Sequence, residues 1–466
     1  MKISFHGAAR TVTGSKHLVR LDNGKKILLD CGMFQGLGKE TLALNSEWGF
    51  EPREVTHVIL SHAHIDHVGL LPRLVKDGYA GKIFCTPQTE ELAKILLLDA
   101  AHIQESDAIH INRIRDKQDR PHVEPLYTED DATEVFSLFQ SVKYEEEYKI
   151  DDDISFMYTD CGHIIGSAAI HLKITENGKD TRISFSGDIG RYNDLILRSP
   201  ATFPQADYIL LESTYGDRLH NMLTPATDKL LKFIQETCIV KGGKLIIPAF
   251  SVGRTQEILY LLNRLDTERR LPKLNYFVDS PLSIEATEIT KHFPECFNDA
   301  VQDLLKKDED VFSFPGLHYT RSAEESIALV ALDEPCVIIS ASGMAEAGRV
   351  KHHIAHAIDN ERNTILIVGY CEPHSLGAHL RNGNKQVKIY GEEHEVRASI
   401  GIIESMSAHG DYKDLIHWTE CQDPAKVKKL FLVHGEYEVQ VAFRERLMQK
   451  GFKDVEIPEI HSGVEL

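Results

Sequence analysis

Apolar and polar positions alternate in short runs over the first 60 residues, and tight turns separate the runs. The pattern predicts strands over residues 3–5, 16–21, 26–30 and 55–60. The last run, Val55-Thr56-His57-Val58-Ile59-Leu60-Ser61, is apolar and β-branched enough to be buried. It leads into Val68-Gly69-Leu70-Leu71-Pro72-Arg73-Leu74-Val75, which reads as the start of a helix. Residues 87–105 carry a helical stripe of Leu92, Ile95, Leu96 and Ala100. Residues 106–134 are polar and mixed in charge, a solvated surface excursion first and a phosphate-contacting edge second. Further strands are predicted over 154–158, 181–185 and 208–211.

The rhythm then changes. Strands at 244–248, 275–278, 337–340 and 364–368 alternate with helical patterns at 254–265, 283–292 and 345–359, the signature of a parallel α/β domain. Beyond it the earlier style returns, with a strand at 429–433 and a helix at 439–448. No Pro/Ser-rich linker joins the two styles, so the α/β segment reads as an insertion. The organisation expected is one discontinuous domain, 1–212 with 378–466, interrupted by a second at 213–377.

Chemistry concentrates in the turn between the buried strand and its helix. His62-Ala63-His64-Ile65-Asp66-His67 places three imidazoles and a carboxylate within six residues. His62 and His64, two apart, can share one side of an extended segment, while Asp66 and His67 lie where the helix begins. One tetrahedral ion could not take all four, so two adjacent ions are expected. Imidazole and carboxylate without thiolate favour zinc, with manganese and iron also accepted. His163 and Asp188 each sit in a glycine-flanked turn at a strand end, as natural third and bridging ligands. Asp30, closing Ile27-Leu28-Leu29, reads either as a turn residue or as a carboxylate that orients a metal histidine. In the α/β segment, the turns Phe250-Ser251-Val252-Gly253-Arg254-Thr255 and Ser340-Ala341-Ser342-Gly343-Met344 could offer backbone N–H groups to a phosphate; ordinary tight turns explain either one equally well.

The totals narrow the class. At 466 residues the chain exceeds one ordinary core. No stretch of about eighteen apolar residues is present, which predicts no membrane span, and Met1-Lys2-Ile3-Ser4-Phe5-His6-Gly7 has no signal-peptide profile. Eight cysteines stand singly, without zinc-knuckle or redox spacing, as in a reduced cytoplasmic protein. The formal charge of −19 argues against a generally basic nucleic-acid binder but leaves room for a local positive site, to which two divalent ions would add about four charges.

Together these residues resemble the metallo-β-lactamase superfamily, and within it the β-CASP branch of nucleic-acid hydrolases, closest to the endonuclease of pre-mRNA 3′-end cleavage and its prokaryotic relatives. The likeness covers residues 1 to about 440. Asp30 matches the first motif, 62–67 the second, and His163 and Asp188 the third and fourth. Glu212, in Glu-Ser-Thr-Tyr-Gly-Asp, matches the acidic motif that opens the β-CASP region; His379 and His409 match its second and third motifs, and the turn His434-Gly435-Glu436 is also family-like. The turn before His379, Glu372-Pro373-His374-Ser375-Leu376-Gly377, departs from the glycine-threonine pair usual in relatives.

The resemblance implies an αββα sandwich with an inserted parallel α/β domain. It implies one metal on His62, His64 and His163 and another on Asp66, His67 and His409, bridged by Asp188. A histidine at position 409 goes with RNA rather than DNA. The expected activity is hydrolysis of single-stranded RNA by a metal-bridged hydroxide, leaving 5′-phosphate and 3′-hydroxyl ends. His379 would be the general acid, oriented by Glu212, with Asp66 and Asp30 completing the catalytic set. Arg254, Ser340, Ser342 and Gly343 would hold the strand, and a homodimer is allowed. Two rival readings are a thioester or lactone hydrolase on the same metal scaffold and a β-CASP subunit that binds RNA without cutting. Neither a second histidine pair nor an inserted domain is needed for the first, and intact metal positions argue against the second.

Overall fold

The computed structural model describes residues 1–38, 40–220, 226–369, 371, 374–403 and 406–466. Glu372 and Pro373, in the unusual turn before His379, lie outside them. The described residues form two compact units, residues 1–194 with 198–219 and 409–466, and residues 195–197 with 220–408.

The first unit is built on two seven-stranded sheets. One runs in the order Gly463–Glu465, Lys2–Gly7, Lys16–Arg20, Lys26–Leu29, His57–Ile59, Lys82–Cys85, Phe139–Ser141; the other Val455–Glu456, Lys429–Val433, Tyr208–Glu212, Lys179–Phe185, Ala168–Glu176, Ile154–Asp160, Tyr148–Lys149. Their facing sides make a core in which Ile27, Leu29 and Ile59 share one cluster with Phe156, Ile170, Phe185, Leu210 and Phe431. Leu28 and Val58 point the other way and are also fully buried, so these strands are apolar on both faces, as strands covered by helices must be. On the outer side of the second sheet, Ile209, Leu211, Leu430 and Leu432 pack with Trp418, Leu415, Phe443 and Leu447 of the helices Tyr412–Thr419 and Tyr437–Gln449. The result is the expected αββα layering.

In the second unit all six strands of one sheet are parallel, in the order Leu317–Tyr319, Asn275–Val278, Cys336–Ser340, Leu245–Pro248, Thr364–Val368, Ser399–Ile403. Ile246, Ile338, Ile365 and Ile367 anchor its core against Val350, Ile354, Leu376 and Leu380. The chain leaves this unit later than the hydropathy pattern implied. Strand Ser399–Ile403 pairs with Thr364–Val368 over five residues, so the backbone ladder holds residues 378–408 in the second unit and the return falls at 409.

Two other differences have local causes. Strand Ala168–Glu176, unpredicted, is fixed by antiparallel pairing with the neighbouring strands on both sides. The helix expected to end at 105 continues to Asp116, consuming half of the supposed surface excursion. No described helix is long and apolar enough to cross a membrane. None of the eight cysteines is in a disulfide, and only Cys421 is exposed.

Candidate metal and acid-base site

Most residues of the site lie just beyond the end of a first-unit strand, in the turn or short helix that follows; His409 instead opens the return of the chain to the first unit. His57–Ile59 delivers His62 and His64, and the short helix Ile65–Val68 delivers Asp66 and His67. The turn is tightly backed: a Cβ on Gly32 would sit 1.6 Å from the carbonyl oxygen of Asp66, so only glycine permits this approach. Ile154–Asp160 leads to His163, whose N–H donates to Ser167 Oγ at 3.0 Å. Lys179–Phe185 leads to Asp188. A Cβ on Gly190 would come within 1.8 Å of the Gly162 carbonyl, which locks the His163 and Asp188 turns together.

The fourth contribution comes from a strand pair. Tyr208–Glu212 and Lys429–Val433 run parallel with Glu212 level with Val433, so Glu212-Ser213-Thr214 and His434-Gly435 emerge side by side. Ser213 Oγ donates to Val433 O at 2.7 Å, and Thr214 Oγ1 lies 2.9 Å from His434 Nδ1. His434, like Asp30, holds a left-handed backbone (φ 49° and 59°), a strained conformation for a side-chain-bearing residue that recurs at functional sites.

Three groups of potential ligands result. His62, His64, His163 and Asp188 form the first, Asp66, His67 and His434 the second, and Asp188, Glu212, His409 and His434 a third that overlaps both. In the first, His62 Nε2 and His163 Nε2 stand 3.1 and 3.2 Å from His64 Nδ1, and 3.5 and 3.6 Å from Asp188 Oδ2. A tetrahedral ion with bonds of about 2.0–2.1 Å spaces its ligands by roughly 3.3–3.4 Å, the separation seen here. The same Asp188 oxygen lies 3.4 Å from His67 Nε2, while Asp66 Oδ2 is 3.8 Å from His67 Nε2 and 3.4 Å from His434 Nε2. Asp188 Oδ2 is thus placed to bridge.

The polar bookkeeping fits cations there. His67 Nε2 and Asp188 Oδ1 are buried without a hydrogen-bond partner, although such groups are normally satisfied. Burial and neighbouring imidazoles hold His62 and His163 well below the usual histidine range, and burial brings His64 to about 4. All three are therefore neutral, the form that donates to a metal.

Asp30 acts behind this layer. Fully buried, it accepts from Ser61 N (2.7 Å), Ser61 Oγ (2.9 Å) and Ser15 Oγ (3.2 Å), and lies 2.7 Å from His67 Nδ1. Taking the Nδ1 proton, it leaves Nε2 of His67 facing Asp188.

The sequence reading grouped His409 with Asp66 and His67; the structure places His434 there. His409 groups instead with Glu212, Asp188 and His434: its Nδ1 is 3.3 Å from Glu212 Oε2 and 3.9 Å from Asp188 Oδ2. Glu212 also accepts from the N–H of Ile189 and, at 3.4 Å, of Thr214. Burial disfavours charge on His409, but the Glu212 and Asp188 carboxylates outweigh it and raise its pKa to about 9. The His409 turn is pinned by Gly410 N donating to Ile189 O at 2.8 Å. Sequence reasoning passed over His434 as a ligand, although it stands at the end of a buried strand as His62 does.

His379 is elsewhere. It is exposed on the helix Leu376–Arg381 of the second unit, its ring 3.4 Å from Asn384 Nδ2, because Leu376, Ala378 and Leu380 take the buried face. Within the first unit, the imidazole facing Glu212 is that of His409. Among the residues expected to hold substrate, Arg254 is buried and ion-paired to Glu257 on its own helix. Ser340 is buried and donates to Asp279 O at 2.7 Å, and Gly343 packs against Phe250. Ser342 alone of these four side-chain positions keeps partial exposure.

The comparisons agree with this geometry. Residues 13–145 match the metallo-beta-lactamase superfamily, residues 255–380 the Beta-Casp domain, and residues 393–458 the Zn-dependent metallo-hydrolase RNA specificity domain. Over 464 residues, all of both chains, the sequence is 34% identical to a protein named Ribonuclease TTHA0252 of Thermus thermophilus. It is 29% identical over 446 residues to an RNase J-like protein of Methanocaldococcus jannaschii, covering 95% of this chain and 94% of that one. It is also 29% identical over 462 residues to the transcription termination factor FttA of Methanosarcina mazei, covering 97% of this chain and 69% of that one. With a two-cluster site on an αββα sandwich and a full-length relative at this identity, the chain belongs to the β-CASP family of the metallo-β-lactamase superfamily.

Proposed function

We propose that the chain is a ribonuclease that hydrolyses phosphodiester bonds of single-stranded RNA with two divalent ions, zinc by choice of ligands, and serves RNA processing or decay. The observation that carries this reading is a histidine absent from the His62 and the Asp66 groups: His409, held by Glu212 at 3.3 Å and lying 3.9 Å from Asp188.

In this proposal His62, His64, His163 and Asp188 hold one ion, and Asp66, His67, His434 and Asp188 the other. Bound there, the ions supply Lewis acidity toward the phosphate and a water acidified to near pH 7. The chain's own groups do the rest. Asp30 keeps His67 in one tautomer and one orientation. Thr214, at Nδ1 of His434, does the same for that ring. His409 carries a proton on the imidazolium that the Glu212 carboxylate stabilises, and delivers it to the leaving 3′-oxygen. Its side chain is 18% exposed, so solvent and substrate reach it where they do not reach His62. Nearby divalent ions would draw the elevated pKa of His409 back toward neutrality, where a general acid is most effective.

A thioester has a thiolate leaving group that needs little protonation and gives no use for the His409–Glu212 pair. Eight cysteines without a disulfide suit a reducing compartment, the cytoplasm. The test is incubation with end-labelled RNAs of both polarities. Cleavage that stops with chelator, returns with zinc and leaves 5′-phosphate and 3′-hydroxyl ends supports the proposal. Terminal 2′,3′-cyclic phosphates, or hydrolysis of thioesters but not RNA, contradict it.

A further inference from the structure

The helix Pro87–Asp116 changes character halfway along. Up to Ala101 it buries Leu92, Ala93, Leu96 and Leu97 in the first unit; beyond Ala101 it buries only Ala108. Yet that second half is not polar. Ile103, Ile109, Ile111 and Ile114 are 37, 56, 41 and 45% exposed. Single exposed isoleucines are ordinary, but Ile103 and Ile114, eleven residues apart, fall on one line of the helix, with Ile109 and Ile111 on its two flanks.

The back of this half-helix is occupied. Asn112 exchanges two hydrogen bonds with Val123 (3.0 and 2.8 Å), and Arg115 Nη1 donates to Pro121 O at 2.7 Å. Helical periodicity places Ile103, Asp107, His110 and Ile114 on the opposite face. On that face the charge is divided: Asp107 precedes His110, and Arg113 and Lys117 follow it. Asp107 and Arg113 have neither a hydrogen bond nor an ion pair among the described residues.

We propose that this face is a self-association surface, and that its occupant is the same helix of a second copy of the chain, packed antiparallel about a two-fold axis near His110. Asp107 and Arg113 lie three residues before and three after His110, so the two-fold sets each Asp107 level with Arg113 of the other copy, twice over. The same operation brings Ile103 within a turn of Ile114 of the other copy, and these two isoleucines bury one another. A phosphate backbone fits less well: it would gain from Arg113 and Lys117 but be repelled by Asp107, whereas an antiparallel copy satisfies both signs at once. Four turns of helix bury less than the roughly 1,200 Å² of a standard interface, so the association is concentration-dependent, in the micromolar range.

The experiment is analytical ultracentrifugation of the full chain from about 1 to 200 μM. The mass should rise with concentration from 52.6 kDa toward twice that value. Ile103→Asp with Ile114→Asp should leave a monomer throughout. Asp107→Arg alone and Arg113→Asp alone, each setting like charges opposite one another, should weaken association at least tenfold, and the two together should restore it to within about threefold. All four positions are at the surface, and circular dichroism should show unchanged melting. A monomer at every concentration, a dimer indifferent to the isoleucine changes, or failure of the double swap to restore association would overturn the proposal. So would single swaps that change RNA affinity without changing mass, which would mark the face as an RNA contact.

Discussion

Two buried carboxylates, Asp188 in the first unit and Asp279 in the second, each sit among histidines, and they could hardly differ more. Asp279, fully buried, lies 2.6 Å from His353 Nε2 and accepts from Ser326 Oγ at 2.6 Å and Arg349 Nη1 at 2.8 Å. Every contact is a hydrogen bond of normal length, and burial's penalty is outweighed by His353, Ser326 and Arg349, which hold its pKa down. Asp188 faces His62, His163 and His67 at 3.4 to 3.6 Å, too long for good hydrogen bonds, and its other oxygen has no hydrogen-bond partner. A carboxylate–histidine cluster closed at 2.6–2.8 Å is a structural knot. One left open at 3.4–3.6 Å is completed by something with positive charge between the ligands.

The largest effect should come from Asp188→Asn. Losing the shared ligand should remove metal and lower RNA cleavage by at least about 10³-fold. The melting temperature of the chelated protein should move little, because no normal hydrogen bond is lost. A variant that keeps both ions would break the contrast. Next, His409→Asn should keep the metal but slow cleavage by about 10²–10⁴-fold, the usual worth of a positioned acid, whereas His379→Asn should leave the rate near wild type.

Asp279→Ala should do the reverse of Asp188→Asn. It should leave metal content unchanged and cost about 3–5 kcal/mol of stability in urea unfolding, as removal of one member of a buried charged cluster does.

The smallest effect sharpens the contrast with a third buried charge. Lys16 is buried without a carboxylate, donating to Gly14 O (3.0 Å) and Gly32 O (2.8 Å), and burial pushes its pKa down from 10.5 to about 7. Below pH 7 both folded and unfolded chains hold the proton, and the fold bears the full cost of burying the cation. Between pH 7 and 10.5 only the unfolded chain holds it, so stability should rise with pH. The increment is about 1.4 kcal/mol per unit relative to Lys16→Met. Parallel stability curves for the two proteins over pH 7–10 would show that Lys16 stays charged.

What could be read from the sequence was local. His62 to His67 share one turn, and their chemistry is written in six consecutive letters; the parallel strands of the second unit announce themselves by apolar runs. What could not be read depends on pairing across long separations. Glu212 meets His409, and Thr214 meets His434, because strands more than 200 residues apart pair in a particular register. No spacing in the chain distinguishes His379 from His409 as the partner of Glu212. Arg254 looked like a phosphate ligand at a helix start, but Glu257, one turn on, neutralises it inside the unit. The second half of helix Pro87–Asp116 looked like solvated surface because charged residues interrupt its exposed isoleucines.

The central claim is that His434 completes the second ligand cluster and His409 does not belong to it. Metal content per chain, measured after zinc loading and desalting of the wild type, His434→Ala and His409→Ala proteins, tests this directly. The account predicts two ions, one ion and two ions respectively. Two ions in His434→Ala with one in His409→Ala would contradict it.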